Sequence, residues 1–133
     1  METVSTHTFC YLAYRGFVEQ NLFDPYEKGP ARLGADVWLG FGAQVMAGVT
    51  VGTGAVLGSG SIATKDIPPY AIAVGTPAEV KRYRFDEPTR KALLDSEWWT
   101  WTEPELRERI QLFRSPSEFI EFARDRRKTG ETS

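Results

Sequence analysis

An all-β solenoid of stacked parallel coils with a C-terminal α-helical cap is the fold class this sequence predicts, and three observations predict it. Aliphatic residues recur at every sixth position: Leu33, Leu39, Val45, Val51, Leu57 and Ala63. The residue after each is Gly34, Gly40, Met46, Gly52, Gly58 and Thr64, and the fourth residue after the first five is Val37, Ala43, Val49, Ala55 and Ser61. Beyond Phe85 this pattern stops and capped helical segments begin.

A period of six is not helical, because at 3.6 residues per turn the aliphatic positions would walk around the cylinder. Six is a multiple of two, so short strands keep the same side inward in every hexad. Glycine and small residues let the chain bend between those strands. Hexapeptide repeats of this kind build parallel β-helices, in which each coil buries its aliphatic residues only because the next coil covers them.

Taken in order, residues 1–32 carry no hexad. The stretch FCYLAYRGFVEQNLFDPYEKGP is aromatic and punctuated by Gly16, Pro25, Gly29 and Pro30, which predicts a loop excursion. Phe9, Phe17 and Phe23 read as packing residues on the coils. Residues 33–85 are the β-helix coils, and the chain is expected to leave them through IPPY and GTPAEV. Residues 86–128 form the helical cap. Asp86 with Pro88 opens a helix carrying Leu93 and Leu94, and Thr102 with Glu105 makes a capping box ahead of Leu106, Ile110 and Phe113. Ser115 with Glu118 makes a second box, with Pro116 at the first helical position and Phe119, Ile120 and Ala123 following. These helices are expected to plug one end of the solenoid and shield its strand edges. Trp98, Trp99 and Trp101 supply the bulk that such a cap needs. Arg124, Arg126, Arg127 and Lys128 suit the negative end of the last helix as a solvated basic stretch, and residues 129–133 are expected to be a disordered tail.

At 133 residues the length allows one domain, and a net charge of −2 with 26% charged residues is balanced. That argues against nucleic acid or an anionic membrane as the main partner. The single cysteine, Cys10, cannot form an internal disulfide, which favours a reducing cytoplasm. No apolar run reaches transmembrane length, and the N-terminus lacks the layout of a signal peptide.

The segment Leu33–Phe85, with DVWLG at Asp36–Gly40, TKDIPPYAIAVGTPA and the later LLDSEWWTWTEPEL, resembles the hexapeptide-repeat acyltransferases and, within them, the xenobiotic acetyltransferase branch. The likeness runs from about Val4 to Phe113. It implies a left-handed parallel β-helix; general crossover preferences would have favoured the right hand. It also implies transfer of acetyl from acetyl-CoA to a hydroxyl of a sugar, polysaccharide or antibiotic-like acceptor, in a homotrimer whose sites lie between subunits. Residues 1–32 would then include a remnant of the active-site segment, with Tyr11 and Tyr14 in the wall of the acceptor pocket.

The resemblance assigns further residues. Ser59 matches a position that meets the pantetheine arm, Thr64 and Lys65 match a pair near the nucleotide, and Trp38 matches a tryptophan at the acetyl end, with Phe41 beside it. Arg82 and Arg84 stand where basic residues meet the CoA phosphates, which guanidinium groups can grip in bidentate fashion. A solubilising basic stretch remains the other reading of Lys81–Arg84, and Gly58, Gly60 and Ser61 read as solenoid turns.

The family's catalytic histidine should lie some six residues before the segment that here reads STHTF, Ser5–Phe9, which places it upstream of Met1. The expectation is that Met1 is internal to a longer protein, N-terminally truncated here, whose missing part holds the histidine and one or more coils. The rival is that His7, the only histidine, serves as the base. At the family's three hexads per coil, residues 33–62 fill fewer than two coils, where solenoids need about three stacked units. Partner subunits or preceding coils would supply the cover. A zinc enzyme on the same fold, like the γ-class carbonic anhydrases, is disfavoured: one histidine and one cysteine fall short of a three-ligand site, so no metal is expected. A non-catalytic or decayed β-helix binding or scaffold subunit stays open as the alternative.

Overall fold

In this computed structural model the described residues are Glu19 and 27–128. The chain divides into two compact units, Met1–Pro30 and Ala31–Ser133. The described part of the first holds a turn at Glu27 and Lys28. All the strands and helices below belong to the second.

Six two-residue strands repeat with the hexads: β1 (Arg32–Leu33), β2 (Trp38–Leu39), β3 (Gln44–Val45), β4 (Thr50–Val51), β5 (Val56–Leu57) and β6 (Ile62–Ala63). The first three each pair in parallel with the strand three hexads on, so Leu33 lies beside Val51, Leu39 beside Leu57 and Val45 beside Ala63. One coil is therefore eighteen residues, with three strands and three corners. β7 (Ala71–Val74) stacks on β5 in parallel, but Leu57 now faces Ala73, so the next coil is two residues shorter. β8 (Glu79–Tyr83) then runs back antiparallel on β7, and the coil exit is a hairpin.

Burial follows the hexad. Val51, Leu57 and Ala63 are fully buried, as are Ala55 and Ala73, with Val49 and Ser61 nearly so. Val51 and Leu57 each contribute about 1.5–3 kcal/mol by leaving water. The equivalent residues one coil earlier are not covered: Leu33 is 53% exposed and Leu39 38%. The only polar member of the inward set, Ser61, is satisfied because its Oγ accepts from the Gly75 N–H at 2.9 Å.

The cap holds α1 (Glu87–Ser96), α2 (Glu103–Glu108) and α3 (Pro116–Lys128), with short 3-10 segments at Trp98–Thr100 and Ile110–Arg114. The Asp86 carboxylate accepts from the Thr89 N–H at 3.0 Å, and Glu105 accepts from both the N–H and the hydroxyl of Thr102. The helix expected to run through Leu106, Ile110 and Phe113 is broken after Glu108. Three residues per turn beyond that point brings Leu112 against the core and leaves Ile110 51% exposed. Leu93, Trp101, Phe119 and Ala123 form a core of the cap's own, in which Trp101 stacks on Phe119 at 5.7 Å. Tyr70 is the one coil residue among its buried members.

Candidate functional site

The four-stranded sheet β2-β5-β7-β8 is the longest continuous face among the described residues. Its register sets Trp38 beside Val56, Val56 beside Ile72, and Ile72 beside Arg82. These four form one row on the outward side, while their neighbours Leu57 and Ala73 point in and are fully buried. At strand spacing the row spans about 14 Å along the stacking direction. An exposed indole stands at one end, with Trp38 at 69% exposure. At the other stands an exposed guanidinium, and none of the ion pairs among the described residues uses Arg82.

The corner after this face carries Phe41, which is 94% exposed, and one coil on, the exposed Ser59. The stacking is close: the Gly60 N–H donates to the Phe41 carbonyl at 2.8 Å, and a Cβ on Gly40 would meet the Ser59 nitrogen at 2.4 Å. Only glycine lets the Ser59 backbone come so near. Trp38, Phe41, Ser59 and Arg82 thus share one face and its adjoining edge.

Thr64 and Lys65 are exposed at a different corner, beyond the β3–β6 ladder. There the Asp66 carboxylate accepts from the Thr50 N–H at 2.8 Å and ties that corner to the coil before.

Arg84 lies at the third corner, before the face begins. Its guanidinium donates to the Gly54 carbonyl at 2.7 Å, pairs with Asp36 at 3.4 Å, and lies over the rings of Tyr70 and Phe85 at 5.6 and 5.3 Å. Burial pushes the Tyr70 phenol up from its ordinary pKa. The hydroxyl has no hydrogen-bond partner among the described residues. The cavity next to Tyr70 is about 90 Å³, room for a few waters and far too small for a nucleotide-bearing ligand.

His7, Tyr11 and Tyr14, with the packing residues Phe9, Phe17 and Phe23, lie outside the described residues. No cluster of three or more histidine, cysteine or acidic side chains placed to hold a metal ion occurs among the described residues, and no described helix is long and apolar enough to cross a membrane. Sequence reasoning passed over Asp36. The signal was available, because positions 36, 42, 48, 54 and 60 share one hexad slot and four of them are glycine.

Stacked parallel coils with an eighteen-residue step define a hexapeptide-repeat protein. The family described as bacterial transferase hexapeptide (six repeats) matches residues 30–65. A chloramphenicol acetyltransferase of Agrobacterium fabrum is 38% identical over 114 residues, covering 86% of this chain and 54% of the relative. A second, of Klebsiella aerogenes, is 46% identical over 80 residues, 59% of this chain and 38% of the relative. A maltose O-acetyltransferase structure from Clostridium difficile is 41% identical, over 44% of this chain and 31% of that one, with a TM-score of 0.42. The chain spans about half, or less, of the length of these two curated relatives. The chain is thus similar, over its hexapeptide repeats and beyond, to hexapeptide-repeat acetyltransferases, the chloramphenicol acetyltransferases of the xenobiotic branch among them.

Proposed function

We propose that the chain serves a CoA-dependent O-acetyltransferase acting on a hydroxyl of an antibiotic-like or sugar acceptor. The observation that carries this reading is the row Trp38–Val56–Ile72–Arg82, an apolar strip with an aromatic at one end and an uncommitted cation at the other. Acetyl-CoA has the matching polarity, with an uncharged acyl thioester at one end and phosphates at the other. Trp38 and Phe41 would shield the thioester from water, Ser59 would face the pantetheine arm, and Arg82 would pair with phosphate oxygens. Thr64 and Lys65, at another corner, would reach the same ligand from a neighbouring copy. That arrangement requires an assembly, a homotrimer with parallel axes, which light scattering would distinguish from a monomer. A soluble cytoplasmic setting, where acetyl-CoA is abundant, suits this reading.

In the reaction, the acceptor oxygen attacks the thioester carbonyl, a base takes the hydroxyl proton, and the CoA thiolate leaves and is protonated. The described residues include no histidine to act as base, since the only one, His7, lies outside them. The second reading is a binding subunit that holds CoA without turning it over; it stands on the position of His7, which falls inside STHTF and not some six residues before it, where the resemblance places the base.

Calorimetric titration of CoA and dephospho-CoA tests the first step. Arg82→Ala should weaken CoA by about 1.5–3 kcal/mol and dephospho-CoA much less if Arg82 meets the 3′-phosphate. Equal losses would move that arginine elsewhere, and no CoA binding by the unaltered chain would sink both readings. Binding without turnover of any hydroxyl acceptor would select the second.

A further inference from the structure

The hexad slot that turns each corner has left-handed backbone at positions 36, 42, 48, 54 and 60, with φ from +52° to +75°. Glycine fills four of these, as the steric cost of a Cβ there requires. Asp36 fills the fifth. Aspartate tolerates this conformation better than most L-residues, and here its carboxylate has a partner. Arg84 reaches across forty-eight residues to the Asp36 carboxylate, and the same nitrogen donates to the carbonyl of Gly54, which occupies the same corner one coil later. The third coil adds Tyr70 at this corner, also left-handed at φ +56°, with its ring beneath the guanidinium. One arginine thus fastens all three levels of a single corner. From that corner β2, β5 and β7 depart, and Trp38 stands two residues beyond Asp36.

We propose that Asp36 and Arg84 are a positioning pair that fixes the corner opening β2 and so sets how Trp38 is presented on the sheet face. The two side chains are 42% and 32% exposed, so the ion pair adds little to stability. Its effect is on direction: it ties the corner of the first described coil, where Leu33 and Leu39 are exposed, to the two coils behind it. The functional part of this inference rests on the acetyl-CoA reading above; the structural part does not.

The test exploits the difference between backbone strain and side-chain use. Asp36→Gly removes the left-handed penalty, and Asp36→Asn keeps a residue tolerant of that conformation while losing the charge. Both variants should fold at least as stably as the parent in the case of glycine, and within a few degrees of it in the case of asparagine. With 5-fluorotryptophan incorporated, the ¹⁹F resonance that Trp38→Phe deletes should shift or broaden in both variants. Those of Trp98, Trp99 and Trp101 should stay in place. Acetyl-CoA should bind about three- to tenfold more weakly in both, the worth of one lost contact set, while urea midpoints do not fall in Asp36→Gly. An unchanged Trp38 resonance in Asp36→Gly overturns the positioning pair. A moved resonance with unchanged acetyl-CoA affinity keeps the pair but overturns its link to the ligand. A parent protein that binds no acetyl-CoA sinks the functional reading, and the resonance still decides the pair.

Discussion

Gly54→Ala and Gly60→Ala introduce the same methyl group at equivalent slots with nearly the same backbone, φ +70° and +69°. Both incur the left-handed penalty of an L-residue, about 1–2 kcal/mol. Their surroundings differ. A Cβ at Gly60 meets nothing within 4 Å, whereas one at Gly54 would stand 2.3 Å from Cε1 and 2.5 Å from Cδ1 of Tyr70. Tyr70 is 2% exposed and belongs to the cap's core, with its ring edge-on to Phe85 at 5.8 Å and beneath the Arg84 guanidinium, so moving it disturbs both. Overpacking of this kind costs about a further 1–3 kcal/mol. Gly60→Ala should therefore lose about 1–2 kcal/mol and Gly54→Ala about 2–5. Equilibrium urea unfolding followed by tryptophan fluorescence reads both losses. Equal losses in the two variants would refute the claim that Tyr70 joins the coils to the cap through a contact that only glycine permits.

Three other outcomes are expected. Tyr70→Phe removes a buried hydroxyl that has no partner among the described residues, and should raise stability by up to about 1 kcal/mol in the same urea measurement. Trp101→Ala deletes a 6%-exposed ring stacked on Phe119 and should cost about 3–5 kcal/mol, detected as loss of near-ultraviolet circular dichroism at lower urea. The Thr89 hydroxyl and N–H hold the Asp86 carboxyl below its usual pKa, and the Thr102 N–H and hydroxyl do the same for Glu105. Their folded-state values are lowered, so their contribution is fully present above the ordinary carboxylate range and is lost as pH falls through the lowered values. Acid titration should therefore diminish the helical far-ultraviolet signal in that window, and Asp86→Asn with Glu105→Gln should flatten the titration there.

The periodic part of this protein was legible in the sequence. A hexad fixes which side chains point inward and where the chain turns, because both depend only on near neighbours along the chain, and Val51, Leu57 and Ala63 are fully buried as that pattern requires. The helix starts at Asp86, Thr102 and Pro116 were equally readable, since capping is settled within four residues. Tertiary structure decided the rest. The shortened third coil and the antiparallel return of β8 bring Arg82 into line with Trp38, forty-four positions earlier in the chain, and no local pattern encodes that alignment. Lys65 occupies the same hexad slot as Ser59, and Thr64 that of Gly58, yet both stand at another corner, because a six-residue step advances one face around the coil. Arg84 read, with Arg82, as a cation for the CoA phosphates or as part of a solubilising basic stretch. Its partners in the fold are Gly54 and Asp36, thirty and forty-eight residues away, because a guanidinium bonds to whatever the stacking of coils places within its reach.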